Sequence, residues 1–253
     1  METLRVEELH LSFKGIKAID GITFGVEEGE IFAIIGPNGA GKTSVLNCIS
    51  GFYRPERGRI FLDGTEITTL PPHKRATLGL TRTFQNVELY RSGTVVANVL
   101  AGRVPKMRRG IIAAGIYWGL KQREEIHHRI KAEEILDFLD LEEHRYRIVR
   151  ELSYGIQKRV ELGRALALEP KLLLLDEIMA GLTVDEKLDM ARYILELKEV
   201  RKIPIILIEH DMGVVMDLAD RVLVMDYGRT IALGIPKVVQ EDPTVVQAYL
   251  GAA

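Results

Sequence analysis

Ile31-Phe-Ala-Ile-Ile-Gly36-Pro-Asn38-Gly39-Ala-Gly41-Lys42-Thr43-Ser44 is the stretch that decides the fold. Its opening run, Ile31 to Ile35, is continuously apolar and reads as a strand covered on both faces, the mark of a parallel sheet. Gly36 to Thr43 fits the pattern GxxxxGK[ST], and Thr43 to Ser50 carries apolar residues at helical spacing. A strand, a glycine loop and a helix in that order make a phosphate-binding turn. The glycines let backbone N–H groups close on phosphate oxygens where side chains would obstruct them, and the helix N-terminus adds partial positive charge. Gly36, Asn38, Gly39, Gly41 and Ser44 are the candidate cradle, with Lys42 to neutralise the β and γ phosphates. The Thr43 hydroxyl is a hard oxygen ligand of the kind Mg²⁺ prefers. The competing reading is an ordinary glycine turn, which the flanking strand and helix disfavour.

Leu172 to Leu175 and Ile205 to Ile208 are further runs of the same buried type. Leu9, Leu11 and Phe13 alternate, as do Ile22, Phe24 and Val26, as expected of strands with one wet face. Glu186 to Val200, with Leu188, Ala191 and Leu195 as its apolar stripe, and Met212 to Ala219 carry helical periodicity. The expected class is alternating α/β with a mainly parallel core sheet, an N-terminal antiparallel β subdomain and an inserted helical subdomain. The insert runs from 87 to 157, between core segments 1–86 and 158–253. Within it Thr94 is a helix cap, and Ile126, Ile130, Ile135 and Leu139 are spaced for one buried stripe. Asp242-Pro243 followed by TVVQAYLG reads as a short capped helix.

Asp176 and Glu177 close the Leu172 strand, at the end where open α/β sheets place ligands. Asp176 is the candidate for the Mg²⁺ shell. Glu177, next in the chain and pointing to the other face, is the candidate base that polarises a water for in-line attack on a γ phosphate. Taken alone, an acidic pair after a strand is more often a solvated turn.

The chain has 253 residues, 47% of them hydrophobic, with 34 Lys and Arg against 36 Asp and Glu. That is enough to bury a core, which excludes a disordered chain. A formal charge of -2 gives no overall basic field for nucleic acid, so none is expected as a partner. The one cysteine, Cys48, makes neither an internal disulfide nor a Cys-rich metal site, which fits a reducing cytosol. The opening METLRVEELHLSF reads as a strand and not a signal peptide. The longest apolar run, Ile111 to Leu120, falls well short of the ~20 residues that cross a bilayer, so no spanning segment is expected. Arg103, Lys106, Arg108 and Arg109 precede that run, which holds Tyr117 and Trp118. The cluster either sits near a membrane face or is a solvated turn before a helical hairpin.

Leu152-Ser153-Tyr154-Gly155-Ile156-Gln157 looks like an LSGGQ signature loop opening a helix shortly before the acidic strand. With the phosphate loop and Asp176-Glu177 it makes the chain resemble, over essentially its whole length, the ATP-binding cassette ATPases. The resemblance implies ATP and Mg²⁺ as cofactors. It implies Phe13 as the aromatic that stacks adenine, although a plain core residue of a strand fits the sequence as well. It implies Gln85 as a contact to Mg²⁺ and the attacking water, and His210 as a γ-phosphate contact. Ser153, Gly155 and Gln157 are implied to reach the nucleotide of a second ATPase subunit, so that two ATP molecules join two head-to-tail cassettes. Further implied partners are transmembrane permease subunits and, indirectly, a substrate-binding protein, with the chain cytoplasmic and peripheral on the membrane.

Gly79-Leu-Thr-Arg-Thr-Phe-Gln85-Asn-Val-Glu-Leu-Tyr90, the segment from Arg103 to Arg129 and the Leu-Ser-Tyr triplet most resemble the branched-chain amino-acid importer ATPases. Importers of urea or aromatic acids share these features, and soluble non-transport cassettes remain a rival class. Tyr154 and Ile156 stand where the general pattern has Gly and Gln, Ile178 where it has Pro, and Thr183 where it has Asp. None of these touches Lys42, Thr43, Asp176, Glu177 or His210, so retained hydrolysis is expected.

Overall fold

The computed structural model describes residues 2–83, 87–107 and 120–250, and its contacts divide the chain into two compact units. Gln85, Arg108, Arg109, Tyr117 and Trp118 lie outside the described residues.

The first unit comprises Met1–Gln85, Lys171–Ala180 and Ile194–Ala253. Strands β1 (Glu2–Phe13) and β2 (Ile16–Glu27) pair antiparallel with Phe13 opposite Ile16. The two residues between them, Lys14 and Gly15, have φ of 49° and 87°. A two-residue turn with both φ positive matches the right-handed twist of the strands it joins. With β4 (Arg57–Leu62) and β5 (Thr65–Glu66) these strands form a sheet of order β2-β1-β4-β5.

The second sheet has order β10-β9-β3-β8-β7-β6. It is built from β3 (Ile31–Ile35), β6 (Leu80–Arg82), β7 (Leu172–Asp176), β8 (Ile205–Ile208), β9 (Arg221–Asp226) and β10 (Arg229–Gly234). Every pairing is parallel except that of β9 with β10. Phe32 and Ile34 face a core shared with the antiparallel sheet and with α1 (Lys42–Ser50), including Leu4, Ile22, Val45 and Leu46. Ala33 and Ile35 face a second core with Val215 of α7 (Met212–Leu218), Val239 of α8 (Pro236–Gln240) and Val245 of α9 (Pro243–Leu250). Covering on both faces is why β3 is apolar at every position. Asp242 Oδ1 accepts from Thr244 N at 2.7 Å at the start of α9. Short helix α2 (Pro72–Thr77) carries Arg75, a cation only 1% exposed.

The second unit comprises Asn86–Pro170 and Gly181–Tyr193, extending the helical segment beyond residue 157 through all of α5 (Tyr154–Leu166). Its other helices are α3 (Val95–Gly102), α4 (Leu120–Phe138) and the first part of α6 (Val184–Glu199). Thr94 caps α3, its hydroxyl accepting from Ala97 N at 3.3 Å. The expected stripe on α4 needs correcting. Ile135 and Leu139 are buried, but Ile126 and Ile130 are 50% and 52% exposed. The buried face runs instead through His128, Ala132, Ile135, Leu136 and Leu139, with a histidine where apolar spacing offered a choice. On α6, similarly, Leu188 and Leu195 are exposed, while Met190, Tyr193, Ile194 and Leu197 are buried. The Tyr193 hydroxyl donates to Asp140 Oδ2 at 2.7 Å, a polar anchor that hydrophobic spacing does not register.

His128 is buried because it is partnered. Arg103, 1% exposed, donates from Nε to His128 Nδ1 at 2.8 Å and from NH1 to Ala167 O at 3.0 Å. Burial, then the charge of Arg103, holds the imidazole below its ordinary value of 6.5, against the opposing pull of Glu124. The folded state therefore keeps His128 neutral where the unfolded chain takes up a proton. Stability is unaffected well above pH 6.5 and declines as pH falls through that value. Urea unfolding between pH 8 and 5 will show that decline, and His128→Gln will flatten it.

Candidate functional site

The loop after β3 holds its shape through backbone that only glycine adopts cheaply. Gly36 has φ of 146°, and a Cβ there would lie 2.0 Å from Met225 O; at Gly41, with φ of 102°, it would lie 2.3 Å from Ala18 O. No side chain caps the N-terminus of α1, so the amides of its first turn stay available to an anion. Asn38, Gly39 and Thr43 are exposed around this turn and Ser44 is half-buried. Lys42 is 7% exposed and folds back over the loop, donating to Gly36 O at 2.7 Å and Pro37 O at 3.1 Å. Burial lowers its pKa, while the charges of Glu177 and Asp176 act in the opposite direction. Those three side chains thus share one electrostatic field.

The carboxyl ends of β7 and β8, neighbours in the sheet, supply the facing groups. Asp176 is 3% exposed at the last position of β7. Glu177 leaves the strand with φ of 52°, its amide donating to Ile208 O at 2.9 Å. That left-handed residue turns the Glu177 carboxylate toward the end of β8, where Oε1 lies 2.8 Å from His210 Nε2. Two residues here escaped the sequence reading. Glu209, 4% exposed, accepts at Oε1 from Met179 N at 2.8 Å and so ties the turn after Glu177 to β8. Arg82 NH2 donates to Asp176 Oδ2 at 2.7 Å. Neither belongs to a spacing pattern that could have flagged it.

Phe13 is 44% exposed at the tip of the hairpin, so it is not the core residue that β alternation allowed. Its ring meets Tyr53, also partly exposed, edge-to-face at 5.2 Å. Among the described residues no three His, Cys, Asp or Glu side chains come together as a metal site. Thr43 and Asp176 carry hard oxygens of the kind Mg²⁺ takes together with phosphate oxygens. The groups present fit a nucleotide triphosphate with that ion.

In the second unit Ser153 caps α5, its hydroxyl accepting from Ile156 N at 3.4 Å, and remains exposed. Gly155 is buried, and a Cβ there would lie 2.1 Å from Glu186 Oε1, so a larger residue would have to displace that carboxylate. Gln157 Nε2 donates to Leu152 O at 2.9 Å and braces the loop from behind. Tyr154 is 44% exposed, beside Gly181, where the φ is 77°.

Comparison with known proteins agrees with this arrangement. The family model described as ABC transporter matches residues 19–180. The chain belongs to the ABC transporter family. This cassette is 39% identical over 250 residues to BraF of Pseudomonas aeruginosa, a high-affinity branched-chain amino acid transport ATP-binding protein, covering 99% of this chain and 98% of that one. It is 37% identical over 250 residues to LivG of Escherichia coli K12, with the same coverage and the same description. A solved ATP-binding cassette of an ABC transporter in its ADP conformation superposes with a TM-score of 0.87 at 36% identity, covering 99% of both chains. The cassette is thus a nucleotide-binding ATPase with the α/β fold of its family. Ile178, which replaces the usual proline, is fully buried, so an apolar contact takes over from a rigid ring there. No helix among the described residues is long and apolar enough to cross a membrane.

Proposed function

We propose that this cassette hydrolyses ATP with Mg²⁺ as one of two ATPase subunits that drive an importer of branched-chain amino acids. The observation that carries the reading is a relationship to BraF and LivG that spans nearly the whole of both chains, insert included. The choice of cargo rests on that relationship, since function is read from relatives' sites and not from the fold.

The residues divide the work as follows. The amides of the turn from Gly36 to Ser44 and the ammonium of Lys42 hold the β and γ phosphates, with Asn38 and Gly39 at the rim. Phe13 stacks the adenine ring. Thr43, Asp176 and Gln85 would hold Mg²⁺, which would neutralise charge on the phosphate oxygens. Glu177 accepts the proton of the attacking water, and His210 orients that carboxylate and reaches the γ phosphate. One chain surrounds the γ phosphate only in part. Ser153, Gly155 and Gln157 of a second subunit supply the remaining donors at another helix N-terminus. Hydrolysis releases that contact, and the opening of the dimer moves permease subunits docked on the insert from the cytoplasmic side.

The test is uptake. Cells whose only copy of this cassette carries Lys42→Ala should lose ATP-driven accumulation of leucine, isoleucine and valine, and the parent chain should co-purify with a polytopic membrane protein. Unchanged uptake of all three with the protein present would exclude the proposed cargo, and loss of urea uptake in its place would name another.

A further inference from the structure

A carboxylate as deeply buried as Asp176 needs a positive partner. Sheet geometry provides one. Arg82 of β6 sits in register with Leu174 of β7, and Asp176 follows two residues along, on the same face. Arg82 NH2 donates to Asp176 Oδ2 at 2.7 Å, with the two side chains 6% and 4% exposed. Its NH1 donates to Asn47 Oδ1 at 2.7 Å and Ser50 Oγ at 3.0 Å, one turn apart on α1. Ser50 Oγ donates onward to Leu46 O at 2.6 Å. One planar guanidinium therefore spans strand and helix, joining Asp176 to the helix whose first turn carries Lys42 and Thr43.

We propose that Arg82 is a positioning residue that shares the charge of Asp176 with the metal ion of the nucleotide site, and so sets how tightly that ion is held. The inference rests on the assignment of Asp176 to the Mg²⁺ shell made above. A carboxylate has a single negative charge to offer. A guanidinium on Oδ2 neutralises much of it and also stands as a like charge beside a divalent cation. Removing the guanidinium costs the fold a buried pair but leaves the whole charge of Asp176 to the ion, so loss of Arg82 destabilises the protein and tightens the metal. Arg82 thus limits affinity in exchange for a stable carboxylate.

Thermal unfolding of the full chain, with saturating ATP in EDTA and then across a magnesium titration, separates the possibilities. Arg82→Gln should unfold at lower temperature in EDTA and reach half of its magnesium-induced rise at about tenfold less magnesium than the parent. Arg82→Lys keeps the charge and should follow the parent curve. Asn47→Ala cuts the tether to α1 but not the charge, and should follow it too. A half-point for Arg82→Gln equal to or above that of the parent overturns the proposal. If that variant is unfolded in EDTA, magnesium with ATP must restore its fold, and failure to do so overturns the proposal as well. A parent chain with ATP that shows no response to magnesium fails differently: it removes Asp176 from the metal shell and takes this inference with it.

Discussion

Glu177→Gln will leave ATP bound and slow its hydrolysis by about a hundredfold or more, the scale of a positioned base. Glutamine matches the shape of glutamate and can still meet His210 Nε2, now 2.8 Å from Glu177 Oε1, but it cannot accept a proton from water. The phosphate cradle keeps its donors, the loop amides and Lys42; the change removes one negative charge from the field around Lys42 but none of its hydrogen bonds to the loop. Phosphate release should therefore collapse while binding of a fluorescent ATP analogue stays within a few-fold of the parent, and an unaltered rate would strip Glu177 of its role. The stalled variant also tests the dimer. Burial pushes the Cys48 thiol up to about 12, so cysteines placed at Ser153 and Asn38 are the reactive ones. With ATP they should crosslink between chains, and no dimer-sized product would rule out the head-to-tail arrangement.

Arg75→Ala should cost at least about 3 kcal/mol of stability without touching a nucleotide ligand. The guanidinium donates to Cys48 O at 2.6 Å, Ile49 O at 2.7 Å, Leu70 O at 2.8 Å and Thr68 O at 2.9 Å. The first two are carbonyls at the end of α1, where intrahelical amides run out and Cys48 O has only the Gly51 amide, at 3.2 Å, besides the guanidinium. Truncation leaves buried acceptors without donors and opens a cavity the size of an arginine side chain. The urea midpoint should fall with its slope little changed. Arg75→Lys should recover little, since one ammonium cannot reach four carbonyls spread around a planar fork. A shift below about 1 kcal/mol would show that water replaces the guanidinium cheaply.

These two residues mark what the sequence could and could not disclose. Lys42 opens the helix after β3, Asp176 ends β7, and Glu177 and His210 come just after apolar strands, so local pattern located them, and the parallel sheet brought them to one edge. Arg75, Arg82 and Arg103 are buried cations whose partners lie on other elements, and no periodicity marks them. The helical faces failed for a related reason. On α6 two stripes are apolar, and the buried one is that of Tyr193, whose hydroxyl donates to Asp140. On α4 the buried place went to His128, since Arg103 was there to receive it. Gln85 and the stretch after Met107 carried expectations that fall outside the described residues.

The place of β3 in its sheet also bears on how the protein is born. Its neighbours are β8 and β9, so Ile31 waits for Ile205 and Phe32 for Arg221. A ribosome must deliver most of the polypeptide before the central strand is flanked, and until then five consecutive apolar residues stand unpaired. Such long-range closure is slow and prone to clumping, which makes this cassette a natural client for chaperones during synthesis.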